Sequence, residues 1–479
     1  MIGSYARLGA VTHVEPATAL SALDIARLTG GRLLASSSRP IRGAAVDSRL
    51  VQPDELFVAL PGERSDGHRY LAQAIERGAS AILVTRPLET PEALGDVTVV
   101  RVADGVAALG AVAAGWRRRF EPLVIGITGS IAKTSTKEAV AAVIGSTRRT
   151  LRSEGNQNNE IGLPLTVLRL GPEHEAAVLE MGMYVGGEIA ELARIAQPAI
   201  GLVTAVQAVH LARIGTLEAV ERAKGELLEA LPRSGVAILN GDDPIVSRMD
   251  RRTVAPVLRY GFGPTADVRV EALESAGFSG MRFRLRTPSG TSDMAIPSLG
   301  RLSAHNAAAA AAAGIAAGLP LDTIVTALSA GWSAAHRVQL VRLRGMTVVD
   351  DSYNASPGSV LAALDLLSDL PGRRVAVLGE MLELGDDHVA GHRKVGEAAA
   401  ATADLLVVVG PNAGGIADGA VAGGLDRARI QHVNDAETAV DALRPRLREG
   451  DVILVKASRG IGLDRLVDAL RLELGEVVT

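Results

Sequence analysis

The 479-residue sequence contains no cysteine. That excludes disulfides, thiolate metal sites and cysteine nucleophiles, and it is neutral about compartment. Neither sign of charge dominates. Lys and Arg number 50 against 54 Asp and Glu, a net charge of −4, so no global attraction to nucleic acid or to an anionic membrane exists and any anion site must be local. No stretch approaches the roughly 18 strongly apolar residues of a membrane span. The seven alanines at 307–313 are only weakly apolar and follow His305 and Asn306, which reads as a packed helix. The amino terminus, MIGSYARLGAVTHVEP, lacks a basic start followed by an apolar core, so no signal peptide is expected. Internal repeats and low-complexity linkers are missing too. These absences lead to the expectation of a soluble, cytoplasmic protein.

What is present suits well-cored domains: 47% apolar and 22% charged residues. At a prior of roughly 150 residues per domain the length gives about three. Up to about residue 118 short helical and strand patterns alternate, as in the helix-like LDIARLTGG and the strand ELFVAL with its turn PGERSDG. A charged stretch, WRRRFEP, then gives way at 123 to repeated strand, loop and helix. The apolar runs LVIGIT, AAVLEMG, AIGLVTAV and GVAILN read as buried parallel strands. A second such series, MTVVDDS, RRVAVLGE, ADLLVVVG and DVILVKAS, begins after the segment Trp332–Arg337. The expected fold is therefore α/β, with boundaries at 1–118, 119–335 and 336–479.

The strongest chemical signal is GITGSIAKTST, residues 126–136, which follows a strand and opens the helix TSTKEAVAAVIG. A tight loop before a helix aims backbone N–H groups and the positive dipole end at a phosphate. Gly129, Ser130, Lys133, Thr134 and Ser135 are the candidate phosphate contacts. Lys133 adds a fixed cation, and the Thr134 hydroxyl is placed to ligate Mg²⁺. The spacing departs from the strict phosphate-loop pattern at Ile127 and at Ala132, where glycines are expected. A methyl at 132 costs little if φ is negative and about 1 kcal/mol or more if φ is positive.

Other candidates follow from strand ends. Glu180 closes AAVLE, His210 follows AIGLVTAV, and Asp350 and Asp351 end MTVVDD, so all should lie at the carboxyl edge of parallel sheets, where ligands bind. A carboxylate there suits a cation or a ribose hydroxyl. Asn156, Asn158 and Asn159 form an amide-rich loop suited to a sugar or peptide, or equally to a self-bonded turn.

The phosphate loop resembles that of the Mur ligases of bacterial cell-wall synthesis. Asp47-Ser48-Arg49 with ELFVALPGERSDGH, EGNQNNEIGLPLTVL, LEMGM, RAKGELLEAL, LNGDDP, DDSYNASP and VLGEMLELGDDH extend the resemblance across all three inferred domains. They are most similar to the branch that adds D-alanyl-D-alanine to UDP-N-acetylmuramoyl-tripeptide. No Asp-Asn-Pro-Arg stretch, used by the sister branch for its diamino acid, is present. The resemblance implies an N-terminal substrate domain, a central ATPase domain of phosphate-loop type with a parallel sheet, and a C-terminal Rossmann-like domain binding the incoming amine. It implies an ATP-dependent peptide-bond ligase working through an acyl phosphate, a monomer, with small-molecule partners only.

For individual residues the resemblance implies that Glu180 and His210 ligate magnesium, His210 a second ion, and that Lys224 carries a carbamate. Asn306 is implied in adenine contact, with Ala309 standing where a second asparagine is usual. Arg337 and Asp351 fall to the nucleotide, and Asp350, Tyr353 and Asn354 to the neighbourhood of the incoming amine. Ser48 and Arg49 look like uridine or diphosphate contacts, with Asp66 and His68 shaping the same domain. Near His210, Ala205, Gln207 and Ala212 depart from the family pattern. Two alternatives stay open: a related amide ligase of the folylpolyglutamate or cyanophycin type, and a catalytically silent relative that binds nucleotide or precursor.

Overall fold

The computed structural model describes residues 18–62, 65–207 and 215–477. The amino-terminal segment read above for a signal peptide and the candidate His210 lie outside them. The chain divides into two compact units, one running to Pro122 and taking in Glu160–Glu175, the other made of Leu123–Asn159 and Ala176–Thr479.

The first unit holds a five-stranded sheet of β1 (Arg32–Ala35), β2 (Ala44–Ala45), β3 (Leu56–Val58), β4 (Ala81–Val84) and β5 (Thr98–Arg101), in the order β1-β5-β4-β3-β2. Only β1 runs antiparallel to its neighbour. The helix Ala22–Thr29 enters through a reciprocal Ser21–Asp24 capping box and ends at Gly30, whose φ of 63° is the left-handed stop the sequence signalled. The helix Gly105–Arg117 packs on the helix Gly162–Val167, which is why the segment 160–175 belongs to this unit. The Trp116 indole donates to the Leu170 carbonyl at 2.9 Å, giving a buried N–H its partner.

The second unit carries two sheets. The larger joins β6 (Leu123–Thr128), β7 (Thr150–Arg152), β8 (Ala176–Glu180), β9 (Ile200–Val203), β10 (Val236–Asn240), β11 (Val257–Gly261), β12 (Val268–Ser275), β13 (Met281–Thr287) and β14 (Gly290–Ile296). The spatial order is β14-β13-β12-β11-β10-β9-β6-β8-β7. The parallel part was legible as apolar runs. The last pairings, β12–β13 and β13–β14, are antiparallel, so the sheet is mixed where the sequence led us to expect a parallel one. Half-exposed strands explain the difference: β13 alternates buried and exposed residues along its length.

Chain order reverses around β6, which has β8 on one side and β9 on the other, and in open α/β sheets the crevice beyond such a point receives the ligand. Against this sheet packs the helix Lys133–Gly145, and against that helix the alanine-rich Arg301–Ala316. All seven alanines of 307–313 are fully buried. Small side chains let the two helices approach so closely that a Cβ on Gly314 would meet Val143 at 2.9 Å.

The third sheet comprises β15 (Gln339–Leu343), β16 (Met346–Asp350), β17 (Arg373–Gly379), β18 (Leu405–Val409), β19 (Ile430–Val433) and β20 (Asp451–Lys456), ordered β15-β16-β20-β17-β18-β19. All pairings are parallel except β15–β16. The molecule thus has three largely parallel mixed sheets. Among the described residues, no helix is long and apolar enough to cross a membrane.

Candidate active site

Beyond β6 the chain turns at Gly129, with φ 151°, into a space where any Cβ would overlap the Thr204 hydroxyl. That hydroxyl instead donates to the Ile131 carbonyl at 2.6 Å. The Ser130 amide donates to the Ala205 carbonyl at 2.8 Å, and the Gln207 amide returns a bond to the Ser130 hydroxyl at 2.9 Å. The loop is therefore stapled to the chain leaving β9. Ala132 caps the following helix at φ 63°, ψ 0°, so the costly alternative for its methyl applies, about 1–2 kcal/mol relative to glycine. No side chain caps this helix end, which leaves the amino-terminal amides of Lys133–Gly145 for an anion.

Lys133 donates to the Gly129 carbonyl at 2.7 Å, folding its ammonium back over the loop. Burial pushes its pKa below the ordinary lysine value; the Glu180 carboxylate opposes this shift and Arg337 adds to it. Glu180 is buried at the end of β8. Its Oε1 accepts from the Asn158 side-chain amide at 2.8 Å, while Oε2 is buried with no hydrogen-bond partner. A buried carboxylate oxygen left unsatisfied costs on the order of 1–3 kcal/mol or more. Such an atom marks a place for a cation.

Lys224, on the helix Leu217–Glu229, is 3% exposed. Burial first, then the nearby Lys133 charge, hold its pKa well below the usual value. Neither acidic neighbour in sequence serves it. Glu221 pairs with Arg251 at 2.8 Å, and Glu226 accepts from the Gly187 and Ala190 amides at 2.7 and 2.9 Å. Burial therefore disfavours the charged ammonium of Lys224.

The phosphate loop and Glu180 open onto a cavity of about 1100 Å³. Ser130, Lys133, Thr134, Ser135, Asn158 and Glu180 line one wall, and Asn156 joins them. Asn306 lines it as well, its Oδ1 accepting from Thr136 at 3.1 Å. Ala309, three residues on, lies wholly inside the apolar core. Arg337, Asp351, Tyr353 and Asn354, from the third sheet and its approach, line it too. Arg337 and Arg459 both lie against the Tyr353 ring, at 4.3 and 5.0 Å from its centre. Asp351 pairs with Lys456 at 2.6 Å.

Not every candidate reaches the cavity. Asp350 is fully buried and its oxygens are engaged by the Ser352 hydroxyl at 2.6 Å and by His336 at 2.8 Å. Asn159 is outside the lining, and so is Lys224, although it feels the Lys133 charge. In the first unit, Ser48 is buried and donates to Gln73 at 2.6 Å, and Arg49 is exposed and paired with Asp47 at 2.7 Å. Asp66 caps the turn Gly67–Tyr70 and holds His68 Nδ1 at 2.7 Å, while His68 Nε2 accepts from the Thr85 amide at 3.0 Å. Asp66 and His68 brace their own loop.

Lys456 and Arg459 were missed in the sequence. The signal for Lys456 was there: it closes the apolar strand DVILVK just as Glu180 closes AAVLE.

Three sequence profiles match in order: the Mur ligase family catalytic domain over residues 40–117, the Mur ligase middle domain over 127–314, and the Mur ligase glutamate ligase domain over 336–459. The UDP-N-acetylmuramoyl-tripeptide–D-alanyl-D-alanine ligase of Mycobacterium tuberculosis (strain ATCC 25618 / H37Rv) is 36% identical, over 94% of this chain and 97% of the relative. The chain belongs to the Mur ligase family. Among solved structures, MurF from Acinetobacter baumannii superposes with a TM-score of 0.86 at 28% identity, covering 96% of this Mur ligase and all of that chain. MurF ligase from Thermotoga maritima in complex with ADP gives 0.80 at 27% identity, covering 90% and 98%. The shared architecture is the three-domain α/β fold of this family.

Proposed function

We propose that this Mur ligase joins D-alanyl-D-alanine to UDP-N-acetylmuramoyl-tripeptide at the expense of ATP, releasing ADP and phosphate. The division of labour is residues 1–118 for the UDP-muramoyl substrate, 119–335 for ATP, and 336–479 for the incoming dipeptide. A site drawn from one chain suits a monomer, and substrates carried on UDP suit the cytoplasm.

One observation carries the chemistry: Lys133 and Glu180 face one another at the phosphate loop, and Oε2 of Glu180 is buried without a partner. In this reading the loop 129–135 cradles the triphosphate, Lys133 screens its outer oxygens, and Asn306 contacts the base. The donor set fits Mg²⁺, a hard cation that takes oxygen ligands: the Glu180 carboxylate oxygen and the Thr134 hydroxyl would hold it, and the family resemblance assigns His210 to a second ion. Bound there, magnesium would neutralise the crowded oxygens of phosphate and carboxylate. The γ-phosphoryl group passes to the terminal carboxylate of the tripeptide, giving an acyl phosphate and ADP. The dipeptide amine then attacks the acyl carbon, a peptide bond forms, and inorganic phosphate leaves. Arg337 and Tyr353, which line the same cavity, hold the reacting ends together and exclude water that would otherwise hydrolyse the acyl phosphate.

Lys224 fits a carbamate. Attack on CO₂ requires a neutral amine, the form that burial beside Lys133 favours. The amine nitrogen bonds the carbon of CO₂ and a proton passes to solvent, leaving a carbamate anion that the Lys133 ammonium would attract.

The decisive assay is ADP release with all three substrates and then with each omitted. Turnover that needs the tripeptide precursor and D-alanyl-D-alanine supports the reading. Strong turnover without the dipeptide, or with glutamate in its place, overturns it.

A further inference from the structure

Lys137 is a second lysine on the phosphate-loop helix, one turn beyond Lys133, and it is 1% exposed. A buried ammonium is costly unless well satisfied, so its partners indicate what keeps it there. Its Nζ lies 2.6 Å from the Ser153 carbonyl oxygen and 2.7 Å from Oε1 of Glu138. Glu138 in turn pairs with Arg152 at 3.1 Å. All these contacts grip the chain just where β7 ends. Ser153 is also tied to β8: its amide donates to the Val178 carbonyl at 3.1 Å, and its hydroxyl accepts from the Glu180 amide at 3.1 Å.

The contacts form one path, from Lys137 through the Ser153 carbonyl and hydroxyl to the Glu180 backbone. Asn158 completes the hold by fixing Oε1 of the same residue. The helix that begins with Lys133 at the phosphates therefore uses its next turn to clamp the strand end bearing the opposing carboxylate.

We propose that Lys137 is a positioning residue that, acting through Ser153, sets the Glu180 carboxylate against the phosphate loop so that Oε2 meets a divalent cation. The inference rests on the assignment of Glu180 as a magnesium ligand. Loss of Lys137 frees the end of β7, lets the Glu180 backbone drift, and loosens the metal without removing any ligand. Groups that orient a metal ligand typically affect metal affinity by about 10- to 100-fold.

The test uses the full chain with a non-hydrolysable β,γ-methylene analogue of ATP. Magnesium is titrated and analogue binding followed by calorimetry, for wild type, K137M, S153A and the double variant, with circular dichroism reporting the fold. K137M is expected to raise the magnesium concentration at half-saturation by about 10-fold or more, while metal-free analogue affinity changes little. S153A, which spares the lysine, should shift it in the same direction and remains informative if K137M does not fold. The double variant should show less than the sum of the two single shifts, because both interrupt one path. Wild-type magnesium dependence in S153A and in folded K137M overturns the inference. No magnesium dependence in wild type would overturn the assignment of Glu180 itself, and the inference with it.

Discussion

The Asn158 side-chain amide donates to Oε1 of Glu180 at 2.8 Å, and Oε2 of the same carboxylate is buried with no partner. One oxygen is fixed so that the other can be offered. Replacing Glu180 with Gln keeps the shape but removes the charge. We expect E180Q to lower kcat by about 10²- to 10³-fold, the scale of losing one preorganised electrostatic contact. Its melting temperature should not fall, since no satisfied acceptor is lost at Oε2. Phosphate-release kinetics and a melting curve check both parts.

Ala132 adopts a left-handed conformation at φ 63°. A132G should relieve that strain and stabilise the protein by about 1 kcal/mol. Turnover should stay within about twofold, because the loop amides already point where the neighbouring bonds to Thr204, Ala205 and Gln207 hold them. Chemical denaturation reads the first and steady-state kinetics the second. A large gain in turnover would mean that the methyl displaces the loop.

The opposite change is expected at Gly129. A Cβ there overlaps the Thr204 hydroxyl, which holds the Ile131 carbonyl. G129A should cost roughly 2–4 kcal/mol, from overpacking and left-handed strain together. Nucleotide binding should be lost along with it, as calorimetry with ADP would show.

Sequence and structure agree where the information is local. The phosphate loop, Glu180 at the end of β8 and Asp351 just past β16 could be read because a strand end and a tight turn are short-range patterns. The hairpins β12–β14 could not, because alternating exposed strands carry no continuous apolar run. The chemistry of single residues was least legible. Asp350 and Asp351 are adjacent, yet one is spent on Ser352 and His336 while the other meets Lys456, 105 residues away. Lys224 has Glu221 and Glu226 close to it in sequence, and only the fold shows both carboxylates taken by other groups. Asp66 and His68 were expected to shape the first domain, and only the fold shows that they do so as each other's partners.

His392 offers a pH test in the third sheet's domain. Its Nδ1 bonds the His388 carbonyl at 2.7 Å and its Nε2 accepts from the Met381 amide at 2.9 Å, which requires a neutral ring. Burial lowers its pKa from 6.5, with the neighbouring His388 charge adding to the shift and Glu380 opposing it. As pH falls below 6.5, the unfolded chain takes up the proton and the folded one resists, so stability is lost toward acid. The Met381 amide should then exchange faster as pH falls, relative to neighbouring amides corrected for intrinsic rate. An H392Q variant should flatten that dependence.

Lys224 gives the sharpest prediction, because carbamylation would turn a basic group into an anion. Its folded pKa lies well below 10.5, so as pH falls from that value the unfolded chain takes up a proton more readily than the folded one. In CO₂-free buffer K224M should therefore be more stable than wild type at neutral pH, and the gap should close as pH rises toward 10.5. If the amine works as a carbamate, wild-type turnover in the same buffer should fall about tenfold and return when bicarbonate is added, the scale of one charged group near a metal site. K224M should be inactive with or without bicarbonate. A stable K224M that keeps wild-type turnover would leave the buried amine with no part in the reaction.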